Sequence, residues 1–365
     1  MKNMNYLFII FMLLFGCGSS DPSTGQEPNP PATENYLSVS PSEINITASG
    51  SLQNISITSN TNWSVTSNAD WCNCSPKSGS MGGTNVLITV TANSTEAVRS
   101  AELTFTAGSV SKKCTVNQET SPVVSYVPEG YSLVWQDEFD KGTEPSATEW
   151  WYETGGGGWG NNELETYVAG RQGTEQLASV KNGILTITAK KIGSTVYSIR
   201  MNTNKSWTYG YFEARLKLPT GKGTWPAFWM MPKNFTTWPG DGEIDVMEEV
   251  GYDPNNIVCT IHCKAYNHSI GTQKGSTRFV PTAQTDFHVY AVEWTEDYIY
   301  GFVDGVRYFT FANDKKGNKD TWPFNAPFYL KLNLAWGGDW GGAQGVDESK
   351  LPAIYEIDYV RVYQK

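Results

Sequence analysis

Residues 243–248 read Glu-Ile-Asp-Val-Met-Glu, three carboxylates interleaved with three apolar side chains. In a β-strand, alternate side chains share a face. Glu243 and Asp245 then point one way, and Ile244 and Val246 the other. Strict alternation would place Met247, not Glu248, beside the acids. One extra residue, a β-bulge at Val246–Met247, returns Glu248 to the acidic face. Three like charges on one face repel, a cost that chains accept mainly where chemistry requires it. Paired carboxylates suit glycoside hydrolysis. One attacks the anomeric carbon and a protonated partner donates to the leaving oxygen, ~5–5.5 Å apart when configuration is retained. Asp245 is placed to hydrogen-bond the attacking acid, and negative neighbours favour a protonated Glu248. An acidic solvent face or a calcium loop would use the same residue types, so the rest of the chain decides.

The 365 residues carry a net charge of -10. That length suggests two to three domains at ~100–200 residues each. The acidic balance excludes nucleic acid as a partner, because phosphates would be repelled. Neutral polymers remain compatible. Of 14 Trp, twelve lie beyond residue 125. Flat rings stack on the apolar faces of pyranoses, and a Trp-rich sandwich core accounts for part of the excess.

The elements that must position these residues are all strand-like. Residues 1–17 read as a lipoprotein signal peptide: Lys2, an apolar run from Tyr6 to Phe15, then a lipobox ending in Cys17. Lipid on Cys17 would anchor the mature chain in the outer membrane, at the cell surface. Residues 18–35 are a flexible tether rich in Ser, Pro, Gly and Thr. Residues 36–119 hold short alternating runs between Gly, Asn and Ser turns, the pattern of an immunoglobulin-like β-sandwich. Residues 120–130, with Pro122 and Pro128, read as a linker. Residues 131–365 alternate throughout, as in Ile184–Ala189 and Tyr355–Tyr363, and predict one large sandwich of two curved antiparallel sheets. Its concave face would make a groove for a polymer. The chain is therefore expected to be all-β.

Cysteines add little. Cys259 and Cys263 would stand ~13 Å apart in an extended strand, too far for a disulfide. His262 would face away from both, which rules out a zinc site there.

Two resemblances follow from longer motifs. Residues 36–119 resemble the BACON domain through Thr58–Asn60, Trp63, Trp71, Ser75–Gly79, Asn93, Arg99 and Gln118. That resemblance implies a spacer or a glycan-binding role. Spacer is favoured, because exposed aromatics beyond two expected core Trp are absent. Residues 131–365 resemble glycoside hydrolase family 16, in its laminarinase and lichenase branch. The motifs are Trp135–Phe139, Gly158–Glu163, Trp207–Arg215, Trp225–Trp229, Glu243–Glu248, Thr260–His262 and Asp358–Tyr363.

The family resemblance implies a concanavalin-type β-jelly-roll sandwich and a monomeric retaining endo-β-glucanase with no cofactor for catalysis. Glu243 would be the nucleophile, Glu248 the general acid and then base, and Asp245 their assistant. Trp225 and Trp229 would stack on sugars. Asn161 or Asn162, Arg200 and His262 would hydrogen-bond hydroxyls. A structural calcium ion would sit on the convex face at Glu138, the carbonyl of Gly183 and Asp358. Trp336 stands where many laminarinases carry a small apolar residue. A ring there, near the cleft, would change which linkages fit, so β-1,3-glucan and mixed-linkage β-1,3-1,4-glucan are both expected. The competing reading is a surface glycan-binding protein on an inactive scaffold. Intact Glu243, Asp245 and Glu248 favour the enzyme.

Overall fold

The computed structural model of the chain describes residues 34–93, 97–120 and 125–365. The expected signal peptide and Cys17 lie outside the described residues. The chain divides into two units at Val123 and Val124, each with its own core.

The first unit is a β-sandwich. One sheet runs, in spatial order, Leu37–Ser40, Ser51–Ser59, Gly82–Val90, Cys72–Ser75. The other runs Glu43–Ile46, Val110–Gln118, Arg99–Ala107, Trp63–Ser67, Ser78–Gly79. Each strand buries alternate residues, so Ile55, Ile57, Val86, Ile88, Leu103 and Phe105 meet between the sheets. Trp63 is in this core, but Trp71 is only partly covered and lies under the Arg99 guanidinium, 4.3 Å from its ring centroid. Cys72, Cys74 and Cys114 are buried free thiols.

The second unit begins earlier than the sequence suggests. Tyr126, read as linker, packs against Gly305, where an added Cβ would stand 2.3 Å from its ring. Tyr131 donates to Glu293 at 3.0 Å. Two large sheets follow, of ten and seven strands, beside a small two-stranded one. The seven-stranded sheet carries the acids. Its strands are β1 (Trp150–Glu153), β2 (Arg200–Thr203), β3 (Thr224–Pro232), β4 (Glu243–Glu248), β5 (Asn256–His262), β6 (Lys274–Phe279) and β7 (Phe328–Trp336). In space they run β1-β2-β7-β3-β4-β5-β6, all antiparallel.

Alternation decides which residues face the core. On β7, Phe328, Leu330, Leu332, Leu334 and Trp336 join the inter-sheet core, while Tyr329, Lys331, Asn333 and Ala335 line the opposite face. Each fully buried Leu contributes roughly 1.5–3 kcal/mol, so a one-residue slip would reverse both faces at a prohibitive cost. The chain enters β4 through Gly242, at φ 93, where an added Cβ would stand 2.9 Å from Pro323. Glycine alone meets both demands there.

Candidate active site

The predicted bulge is present. Trp229 pairs with Asp245 and Phe228 with Met247, so Val246 is the extra residue. The same register shift separates Asp245 and Glu248 along β5. Val246 and Met247 are both buried in the core, and Glu243, Asp245 and Glu248 share the opposite face.

Pairing across the sheet sets the rest of that face in rows. Glu248, Ala227, Asn333, Arg200 and Glu153 are successive partners from β4 to β1. The next row is Thr260, Asp245, Trp229, Lys331, Asn202 and Trp151. Glu243 pairs with His262. Above these rows lies a cleft of about 430 Å³.

Each glutamate is held by an indole. Trp238 Nε1 donates to Glu243 Oε2 at 3.0 Å, and Trp225 Nε1 donates to Glu248 Oε1 at 3.0 Å. Burial raises all three acids, but unequally. Glu248 is pushed up to about 8, by burial and then by the charge of Glu243, with only the Trp225 bond opposing. Asp245 is held well above the carboxylate range by burial and by both glutamates. Glu243 is also raised by burial, but the Trp238 bond, Arg200, Asp245 and Lys331 all favour its charged form. The arrangement thus opposes the charged form more at Glu248 than at Glu243.

Arg200 is clamped between the rings of Trp159 and Trp229, 4.8 Å from each centroid, and its Nε donates to Glu153 Oε2 at 2.6 Å. Trp229 Nε1 donates to Asn333 Oδ1 at 2.7 Å. These bonds fix a wall of aromatic and polar groups beside the acids.

Of the residues predicted to touch substrate, Asn161, Arg200, Trp225 and Trp229 line the cleft with Glu243, Asp245 and Glu248. Three others do not. Asn162 turns away, at φ 54, and donates to Asp339 at 2.9 Å. His262 is buried, its Nε2 3.4 Å from Asp245 Oδ2, so it meets an acid of the row rather than open cleft. Burial and His268 push it down to about 4, which leaves it neutral. Trp336 is a core residue, 1% exposed, on the leucine face of β7; the cleft residue beside it is Ala335. No additional ring therefore enters the cleft at that position.

Trp238, Glu153, Lys331, Asn333 and His268 also line the cleft and were not singled out. For Lys331 and Asn333 a signal existed, since they alternate with leucines in Leu330–Leu334. Trp238 lies in a loop, where periodicity carries no information.

Two groupings bear on metals. The ligand atoms of Glu243, Asp245 and His262 lie within 4.8 Å of one another. Cys259 and Cys263 are buried in the core, on the face away from His262. The positions expected to hold calcium lie on neighbouring segments. Strand Ala353–Gln364 pairs along one edge with Ile184–Ile192 and then with Ser132–Asp137, its other edge being taken by Gly210–Lys217, with Ile357 opposite Leu185 and Val360 opposite Asp137. Asp358 thus stands between the Glu138 and Gly183 segments. A Cβ on Gly183 would be 3.9 Å from the main-chain oxygen of Glu138. The Glu138 carboxylate is spent on Arg361, at 2.7 and 2.8 Å, and Asp358 also pairs with Arg215. The donor set is all oxygen and would suit a hard cation, with the Glu138 main-chain oxygen rather than its carboxylate left to serve as a donor.

The profile of glycosyl hydrolases family 16 matches residues 166–361, and the chain belongs to that family. The BACON profile, described as a putative N-terminal binding domain, matches residues 61–119. The chain is 48% identical over 247 residues to the β-glucanase of Rhodothermus marinus, covering 64% of this chain and 85% of that protein. The X-ray structure of the laminarinase from Rhodothermus marinus superposes with a TM-score of 0.61 at 46% identity, covering 64% and 97% of the two chains. SCLam, a non-specific endo-β-1,3(4)-glucanase crystallised as a mutant with 1,3-β-D-cellotriosyl-glucose, gives 0.62 at 47%, covering 66% and 96%.

The Trp225 bond to Glu248 generates a test. Trp225→Phe keeps a ring but removes the donor that favours the charged carboxylate, so Glu248 should hold its proton to higher pH. The basic limb of hydrolysis should move up by about one pH unit, the equivalent of a charge-assisted hydrogen bond. A limb that stays in place in a folded variant contradicts the contact.

Proposed function

We propose that the chain is a retaining endo-β-glucanase acting on β-1,3-glucan and on mixed-linkage β-1,3-1,4-glucan. The carrying observation is the geometry of the two glutamates, which the bulge puts on one face of β4 with an indole N–H on each; burial and Glu243 push Glu248 up to about 8, while cations and an indole favour charge on Glu243. Glu243 attacks the anomeric carbon as Glu248 protonates the departing oxygen. The glycosyl–Glu243 ester then breaks as Glu248, now a base, takes a proton from water. Asp245, between them, holds a proton that it can share with Glu243. Trp225 and Trp229 present ring faces to pyranoses, and Asn161 and Arg200 offer donors to hydroxyls. The names of the related β-glucanase and of the non-specific 1,3(4)-glucanase support the substrate class. With Trp336 in the core, nothing at that position argues against β-1,3 linkages.

Reducing-sugar release should be seen on both laminarin and barley β-glucan. Glu243→Ala should lower kcat about 10³-fold with the fold retained, and azide should rescue Glu248→Ala. Residual activity of Glu243→Ala within about tenfold of the parent would contradict the assignment of the nucleophile.

Calcium at Glu138, Gly183 and Asp358 is part of the same reading. It would supply only a tie between the first and last strands of the unit. A ligand held at ~100 times its Kd stabilises by about 2.7 kcal/mol, so EDTA should lower Tm by roughly 5–10 °C, restored by excess calcium. An unchanged Tm would count against the ion.

A further inference from the structure

β1 begins with two consecutive tryptophans that point opposite ways. Trp150 enters the inter-sheet core at 2% exposure, edge-on to Trp135 with ring centroids 5.8 Å apart. Trp151 shares the other face with Glu153, which lines the cleft, and stays 40% exposed. Among the described residues it is the only exposed tryptophan. An indole left in water forfeits the free energy that burial would give. β1 is also an edge strand, and edges are ordinarily blunted by charge rather than by an aromatic ring.

Two lines of residues connect this ring to the acids. In the first, Asp245, Trp229, Lys331, Asn202 and Trp151 are successive partners across the sheet. Four strand spacings separate its ends, ~19 Å. Its polar members are buried and spent on each other, since Lys331 Nζ donates to Asn202 Oδ1 at 2.5 Å. Lys331 lies against the rings of Trp229 and Tyr329, 4.9 and 5.2 Å from their centroids. The second line is apolar. Met231 follows Met230, the partner of Ile244, and so stands next to Glu243; its own partner is Tyr329. Met231 and Tyr329 line the cleft, and the Tyr329 ring is 6.1 Å from that of Trp151. Apolar surface therefore leads from Glu243 through Met231 and Tyr329 to Trp151 at the sheet edge.

We infer that Trp151 and Tyr329 form a distal sugar-binding platform at the edge of the sheet, stacking on pyranose units of the same glucan chain whose scissile bond lies between Glu243 and Glu248. The inference deepens the hydrolytic reading proposed above and rests on it. The occupant follows from continuity. The platform extends the cleft across the strands, in the direction of the acid row, so a chain seated at the acids and running that way reaches Trp151. Its chemistry also fits: a neutral pyranose offers apolar C–H faces to the rings, with no charge to be matched. Trp combines a large apolar face with a polar N–H, which suits a surface that is wet when empty and covered when bound. Binding energy gained so far from the reacting bond can be spent at the reacting centre, which favours long substrates over short ones.

The test is calorimetric binding of β-1,3-gluco-oligosaccharides of two lengths, a disaccharide and a hexasaccharide, to the full chain carrying Glu243→Gln so that nothing is consumed. The hexasaccharide should bind more tightly. Adding Trp151→Ala should weaken it about tenfold, the scale of a truncated aromatic anchor, and narrow its advantage over the disaccharide by the same factor. Trp151→Tyr, which keeps a ring, should retain most of that advantage. In the chain with Glu243 intact, Trp151→Ala should lower kcat/KM for the hexasaccharide by a similar factor. A merely structural role for Trp151 would not act on length preference. Hexasaccharide affinity within about twofold of the parent in Trp151→Ala overturns the platform, as does a parent that binds both lengths equally; either result leaves hydrolysis standing. Should Trp151→Ala fail to fold, Trp151→Thr, whose β-branched side chain suits a strand, is read in the same way. A parent that binds neither oligosaccharide and hydrolyses no glucan would sink the hydrolytic reading and the platform with it.

Discussion

Three carboxylates on one face of a six-residue strand set the terms for the rest of the catalytic unit. Their mutual repulsion is made worse by burial, since a low-dielectric setting penalises every charge. The β-bulge makes the crowding unavoidable: by sending both Val246 and Met247 into the core, it brings Glu248 back beside Asp245. The core holds that geometry in place. To relieve the repulsion, the strand would have to withdraw two large apolar side chains from between the sheets.

The surroundings convert repulsion into a division of roles. Each glutamate receives one indole N–H, which is neutral and cannot by itself tell them apart. Arg200 and Lys331, bound to a single carboxylate, are among the groups that favour the charged form of Glu243. Glu248 is pushed up to about 8 by burial and by Glu243. A pair of like acids is thereby made unequal, as the proposed double-displacement chemistry requires.

Much of this was legible in the sequence because strands alternate. The bulge follows from the acid spacing alone, since Glu248 can join Glu243 in no other way. The two units followed from runs of short strands. Trp336 shows what happens when the same rule is not applied. It was placed at the cleft, yet it shares parity with Leu330, Leu332 and Leu334, so β7 carries it into the core. Lys331 and Asn333, two residues apart on the other parity, were overlooked for the same reason. Other features were not readable in this way. Trp238 and Asn161 reach the cleft from loops, where no period distinguishes Asn161 from Asn162. His262 has cleft-side parity, but its register partner is Glu243 and its nearest charged atom belongs to Asp245, a pairing that only the sheet order reveals.

The central claim is that Glu243 is the acid that forms the bond to sugar. Incubation with a 2-deoxy-2-fluoro β-glucoside bearing a good leaving group should trap the ester, because the fluorine slows its breakdown more than its formation. Peptide mass spectrometry should then find the fluoroglycosyl group on Glu243. A label on Glu248, or no label together with an inverted anomer as first product by NMR, would contradict the account.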